Sequence, residues 1–233
     1  MSEKLGEFSG FSPPSLDFLR DIKANNNKEW FDAHKQDYEE YLLNPFKQLV
    51  ADLSECMLYI DASFKVTPAI NKTISRIYRD TRFSKDKSPF RNTMWLTFKR
   101  SNKDWQDAPG YFFELSTDSY RYGMGFYSAS KTTMDRLRWT IDNKPDKFER
   151  LLSIFSKQKI FEVEGEKYKR ILDESKPEEI QNWFQRRNLY LVCNRDNVQT
   201  LLSRDLVDDL ISGFDLLAPF YRFLLKIKFD SVS

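Results

Sequence analysis

The sequence contains little glycine, only 7 of its 233 residues. None of these glycines forms a GxGxxG or GxxxxGK motif. Both motifs bring backbone amides against phosphate groups, so their absence excludes the standard dinucleotide and P-loop sites. An anion site in this chain should therefore be built from side chains.

Histidine and cysteine are also scarce. His34 is the only histidine, which excludes a two-histidine zinc site and leaves a Ser-His-Asp triad a single candidate base. Because His34 lies in an aromatic helical stripe, we expect it to pack at a helix surface. Cys56 and Cys193 are 137 residues apart and form no CxxC pair, which suits a reducing compartment. We expect each to be a small core residue rather than a nucleophile.

Long apolar runs are absent. The first residues do not resemble a signal peptide, and no stretch of about 18 apolar residues could form a membrane span. The sequence therefore predicts a cytoplasmic protein without a membrane partner. Its net charge of only +2 gives no whole-protein reason to bind nucleic acid, so any basic function needs a local patch.

The spacing of apolar residues predicts an α+β fold. Helical spacing begins at Ser12 with two prolines after it, stops at three asparagines, and resumes with Asn26 and Glu29 as a capping box. Alternation of period two over residues 74–128 predicts an antiparallel meander in the middle of the chain. Helical spacing returns after Ser130. We expect the sheet to be packed by the N-terminal and C-terminal helices.

The later part of the chain is expected to be helical with one additional strand. Residues 189–193 form a short apolar run suited to a buried strand, and residues 162–179 have the most loop-like composition. Two closing helices are predicted over residues 203–211 and 214–227. Since no repeat, low-complexity segment or linker divides the sequence, we predict one domain over residues 1–233 with a flexible N-terminus over residues 1–11.

One segment carries most of the positive charge. Between positions 76 and 91 there are six cations and two anions, a net charge of +4 in a chain of net +2. Arginine offers a planar fork of donors that suits carboxylates and phosphates. The candidate ligand-binding residues are Arg76, Arg79, Asp80, Arg82, Asp86 and Lys87. The aspartates would orient the arginines or, as an open alternative, hold a divalent ion that bridges to phosphate. No other pattern predicts a metal site.

Two other interpretations of this segment stay open. Arginine–aspartate pairs often form internal ion networks that hold a loop without any ligand, and the segment could also be a solvated turn. If it is a site, neighbouring aromatic residues would wall the pocket. These aromatic residues are Tyr78, Phe83, Phe90 and Trp95.

The segment resembles the signature of an uncharacterised bacterial domain family that also occurs in some fungal proteins, R-x-x-R-D-x-R-F-x-x-[DN]-K-x-x-Y. Phe90 stands where the signature has its tyrosine, so that position lacks a phenolic hydroxyl. The resemblance extends over nearly the full chain, including residues 18–35, 110–115, 123–131 and 218–224. It implies that the charged segment is the defining feature of the family, and it implies no activity or cofactor.

These observations lead to three hypotheses. The first is a pocket for a small anionic ligand such as a nucleotide, a sugar phosphate or a carboxylate. The second is a structural or protein-interaction domain in which the charged segment is an internal salt-bridge network. The third is a nucleic-acid-binding module, which the low net charge does not favour. No spacing identifies a nucleophile or a general base, so no reaction is predicted.

Overall fold

The structure is a computed structural model that describes residues 6–101, 103 and 105–229. It confirms the α+β class, with an antiparallel sheet in the middle of the chain and helices before and after it. The helices are α1 (Pro13–Ala24), α2 (Lys28–Ala33), α3 (Lys35–Asp37), α4 (Asn44–Ile60), α5 (Lys131–Asn143), α6 (Pro145–Phe155), α7 (Glu178–Phe184) and α8 (Asp205–Phe229). A π-helical stretch, Tyr38–Leu43, precedes α4, and single 3₁₀ turns lie at Trp105–Asp107 and Thr200–Leu202.

The sheet has five strands in the order β1-β2-β3-β5-β4. The strands are β1 (Met94–Phe98), β2 (Pro109–Leu115), β3 (Tyr120–Phe126), β4 (Glu162–Glu164) and β5 (Tyr190–Arg195). The first three are neighbours in chain order, which confirms the predicted meander. The predicted apolar strand is β5, and β4 pairs antiparallel with it, Val163 opposite Leu191. The sequence did not predict β4, because this strand has only three residues and lies in the segment with loop-like composition, residues 162–179.

The described residues group into two compact units. The first contains residues 6–98, 112–122 and 194–212, and the second contains the described residues of 99–111, 123–193 and 213–229. The single domain expected from the sequence stays a prediction. In the described part of the chain, every helix is too short or too polar to cross a membrane.

Aromatic side chains form the core of the first unit. Phe46 of α4 lies 6.0 Å from Phe113 of β2, measured between ring centroids, and Phe11 packs 5.1 Å from Phe46. Residues 1–5 of the predicted flexible N-terminus lie outside the described residues. The remainder of that segment is packed: Phe8 and Phe11 are buried, and the Phe11 amide donates to the carbonyl oxygen of Leu201 at 2.7 Å.

In the second unit, α8 packs against β2. The ring of Tyr111 lies 5.1 Å from Phe214 and 5.5 Å from Tyr221. The two closing helices predicted from the sequence are a single helix, with Pro219 inside it. A glycine within a helix costs only about 1 kcal/mol. The buried apolar residues on both sides of Gly213 offset that cost, so the helix continues.

Two glycines of β3 allow close approach of another strand. A Cβ atom at Gly123 would lie 2.0 Å from the Leu191 carbonyl oxygen, and one at Gly125 would lie 2.3 Å from the Tyr190 Cβ. Alternation predicts that both glycines are on the polar face, but both are buried. Their lack of a side chain, rather than polarity, therefore explains why they are here.

Buried arginines donate to backbone carbonyl oxygens in the second unit. Arg186 donates to the carbonyl oxygens of Val163 at 2.5 Å, Gly165 at 2.6 Å and Asn182 at 3.0 Å. Arg138 donates to the Arg186 carbonyl oxygen at 2.6 Å. Burial lowers the pKa of the Arg186 guanidinium, yet the group stays charged because an arginine pKa begins above 12.

Replacing Arg186 with methionine should lower the free energy of unfolding by about 3 kcal/mol, because buried carbonyl oxygens would lose their donor. The matched control is Arg187→Met. Arg187 is half exposed and pairs with the exposed Glu166, so its loss should change stability by about 0.5 kcal/mol or less. Urea unfolding followed by circular dichroism measures both variants. Equal effects would show that the carbonyl contacts of Arg186 contribute nothing.

Candidate functional site

The charged segment, residues 76–87, forms a surface loop that is closed at its base; we call it the charged loop. Tyr78 and Phe90 form an antiparallel bridge. The Arg79 amide donates to Pro89 O and the Arg91 amide donates to Ile77 O, both at 2.8 Å. Ile77 and Phe90 are buried. The loop is therefore anchored where it leaves and rejoins the first unit.

Asn26 and Phe31 fix the base of the charged loop to the N-terminal helices. The Asn26 side chain donates to Phe90 O at 3.0 Å and accepts from the Phe90 amide at 2.9 Å. Phe31 of α2 stacks on the Phe90 ring, with 4.4 Å between centroids. The capping role predicted for Asn26 is wrong. Asn27 caps α2 by accepting from the Trp30 amide at 2.9 Å.

Arg91 follows the charged loop in the sequence and contacts its backbone. Its Nη1 donates to the carbonyl oxygens of Arg76, at 3.1 Å, and of Tyr78. The guanidinium lies 4.9 Å from the ring centroid of Trp95. Arg91 therefore serves the backbone of the loop. Its charge was counted in the sequence, but its role depends on contacts that sequence spacing does not reveal.

Inside the loop, the predicted residues form two ion pairs. Asp80 binds Arg82 in a bidentate manner, with Nε at 2.9 Å and Nη2 at 2.7 Å. Asp86 pairs with Arg79 and also accepts from the Ser88 amide at 2.9 Å. Lys87 donates from Nζ to the Thr81 carbonyl oxygen at 2.9 Å. Each aspartate thus holds one arginine in place.

The pKa values of both carboxyl groups are lowered. Hydrogen bonds from Arg82 hold the pKa of Asp80 well below its usual range, and the charge of Arg76 acts in the same direction. Hydrogen bonds from Ser88, followed by that from Arg79, lower the pKa of Asp86 to about 2. Both groups are ionised at neutral pH. Neither is suited to donate a proton there, since a general acid needs a pKa near the working pH.

Other cations of the charged loop remain open to solvent. Among the described residues, the side chains of Arg76 and Lys85 form no ion pair or hydrogen bond, and both are exposed. Arg82 and Lys87 are exposed as well, although each has an internal partner. Four exposed cations therefore lie on one loop.

The aromatic residues expected to wall a pocket do not line a common space. Phe90 is buried under Phe31, and Trp95 contacts Arg91. Phe83 is 94% exposed. The charged loop is therefore a protruding basic surface rather than a lined cavity.

The histidine and the two cysteines are not part of the charged loop. His34 stacks on Trp30 at 4.1 Å, and its Nδ1 is 2.8 Å from the Trp30 carbonyl oxygen, as expected for packing at a helix surface. Cys193 is buried and Cys56 is half-buried. Within residues 6–101, 103 and 105–229, no group of three or more histidine, cysteine or acidic side chains could hold a metal ion.

The sequence matches a family described as conserved hypothetical protein (DUF2461) over residues 14–223. The chain belongs to this family. The match includes the charged loop and the elements that anchor it, so the family resemblance inferred from the sequence is confirmed. No curated protein matches the chain significantly. Membership of DUF2461 names no ligand, so a function can be inferred only from the geometry of the loop.

The lowered pKa of Asp86 gives a pH prediction. Because its folded value lies near 2, below the ordinary 3.8, the carboxylate stabilises the loop above about pH 4. That contribution is lost as the pH falls through 2. Carbon-detected NMR of the Asp86 carboxyl should therefore show a titration midpoint near 2.

Arg79→Gln should raise this midpoint toward the ordinary value, but only in part, because the Ser88 hydrogen bonds remain. Arg187→Gln, which removes an equal charge from the second unit, should leave the midpoint unchanged. A midpoint at the ordinary value in the unaltered protein would contradict the ion pair in solution.

Proposed function

We propose that this DUF2461 protein binds a small anionic ligand, such as a nucleotide, a sugar phosphate or a carboxylate, through the charged loop. The observation that supports the proposal most is that some cations of the loop pair with its carboxylates while others stay exposed. Its two carboxylates are occupied by Arg79 and Arg82, and the cations of Arg76 and Lys85 face solvent. Of the four cations that these two pairs leave over, Arg91 serves the backbone, so Arg76, Lys85 and Lys87 remain exposed to a ligand.

The paired arginines also keep donors for a ligand. A guanidinium carries five N–H donors in a planar fork. Arg79 contacts Asp86 through Nη1, and Arg82 contacts Asp80 through Nε and Nη2. The remaining donors are held in place by these contacts, so less side-chain entropy is lost when a phosphate or carboxylate binds.

The proposal is one of binding and names no reaction. Both loop carboxylates are ionised, so neither is suited to donate a proton at neutral pH. A cytoplasmic location belongs to the same proposal, and the presence of only two cysteines, 137 residues apart, supports it.

A structural role is the second candidate. The contacts of Arg79 with Asp86 and of Arg91 with two loop carbonyl oxygens would hold the loop without any ligand. The Asp86 side chain is 54% exposed, however, and exposed ion pairs contribute little to stability. A purely structural purpose therefore explains Arg91 better than it explains the exposed cations.

The binding proposal predicts saturable stabilisation by one class of anion. The panel contains inorganic phosphate, pyrophosphate, a mononucleotide, a sugar phosphate and citrate. At roughly ten times its Kd, the bound class should raise Tm by about 3–5 °C. The double variant Arg76→Gln/Lys85→Gln, which leaves both ion pairs intact, should weaken the affinity about fivefold or more in calorimetric titrations.

The matched control is Lys131→Gln/Arg187→Gln, which removes two charges from exposed ion-paired side chains of the second unit. It should bind as the unaltered protein does. If no anion of the panel shifts Tm and Arg79→Ala alone lowers it strongly, the charged loop is structural and the binding proposal is wrong.

A further inference from the structure

The tip of the charged loop presents an aromatic ring to water. Phe83 is 94% exposed, the highest exposure among the large apolar side chains of the described residues. Its fixed neighbour is Arg82, whose guanidinium lies 5.8 Å from the ring centroid. An exposed phenyl ring does nothing for folding, because its apolar area stays in water.

Arg82 is held beside this ring. Its bidentate contact with Asp80 fixes the guanidinium, and the Asp80 carboxylate also accepts from the Arg82 amide at 3.2 Å. The cation lies over the ring, and the ring is still 94% exposed. A ligand with both an anionic group and a flat ring would satisfy both.

A second exposed ring lies at the base of the same loop. Tyr78 is 46% exposed, and it is supported from within by Phe31 at 5.6 Å and Phe90 at 5.0 Å. The two rings lie between exposed cations in the sequence. These cations are Arg76, Arg82, Lys85 and Lys87.

We infer that the anionic partner of the charged loop is single-stranded nucleic acid, with a base stacked on Phe83 and phosphates bound by the cations. This inference rests on the proposed anion binding and names its partner. Proteins that bind single strands without sequence preference combine basic residues along the backbone with aromatic rings for the bases. In a duplex the base faces are stacked on each other, so a protruding ring has no face to meet.

The shape of the loop favours a strand over a free mononucleotide. The exposed cations alone can bind a small anion, whereas a ring that is 94% exposed meets a base only on an open surface. A strand needs only a surface to lie on.

The four exposed cations of the loop set the expected salt dependence of nucleic-acid binding. With about four phosphates contacted, the logarithm of affinity should fall against the logarithm of salt concentration with a slope of roughly −3. Binding should be measurable at low salt and weak at high salt.

The test uses fluorescence anisotropy with an unstructured oligonucleotide of about ten nucleotides, within the usual site size. A matched abasic oligomer has the same phosphates without bases, and a duplex of the same length is the third probe. The inference predicts that the single strand binds roughly tenfold or more tightly than the abasic oligomer, and more tightly than the duplex.

Phe83→Ala should weaken single-strand binding roughly tenfold, as expected for one lost stacking contact, without lowering Tm. Phe83→Tyr keeps the ring and should retain binding. Tyr59→Ala is the matched control, since Tyr59 is 81% exposed on α4, and it should have no effect. The Phe83→Ala variant should bind the abasic oligomer as before.

The outcomes separate this inference from the proposed function. Equal binding of all three probes, unaffected by Phe83→Ala, overturns the stacking inference and leaves anion binding in place. Binding of phosphatidylserine vesicles that needs Phe83, without binding of the oligonucleotide, also overturns it. If every oligomer and every anion of the panel fail to bind, both proposals are wrong.

Discussion

Donation from arginine side chains to backbone carbonyl oxygens is the interaction on which the loops, helix ends and sheet edge of this protein depend. Carbonyl groups at these places have no partner in a helix or ladder, so they need other donors when water is excluded. Arg186 and Arg138 supply them around β4, and Arg91 supplies them at the base of the charged loop. Arg204 donates to Phe8 O at 3.0 Å and Arg136 to Lys228 O at 2.9 Å. These five arginines therefore serve the fold itself.

This constraint changes how the charge of the loop is counted. Six cations lie between positions 76 and 91, but they have different tasks. Arg91 serves the backbone, Arg79 and Arg82 are held by carboxylates, and Lys87 donates to a carbonyl oxygen. In the described structure, the side chains of Arg76 and Lys85 form no hydrogen bond or ion pair, and both are exposed. Sequence spacing shows where charge accumulates. Contacts show which part of it is available to a partner.

The sequence was sufficient for whatever depends on local periodicity. It predicted the α+β class, the β1–β3 meander, the β5 strand and the position of the charged loop. It failed where distant contacts decide between local alternatives. Asn26 and Asn27 are equally able to cap a helix, and only the hydrogen bonds of Asn26 to Phe90, 64 residues away, distinguish them. The continuity of α8 through Gly213 likewise depends on burial that spacing alone does not show.

The same distinction separates the base of the charged loop from its tip. The contacts that stabilise the loop lie at the base, in the Asn26–Phe90 hydrogen bonds, buried Ile77 and the carbonyl contacts of Arg91. Lys85 and Phe83, at the tip, bury almost nothing. Stability therefore accounts for the base and leaves the tip without a reason to carry a ring beside cations. A partner that brings negative charge and flat rings supplies that reason, because it removes the apolar face from water and neutralises the cations in a single contact.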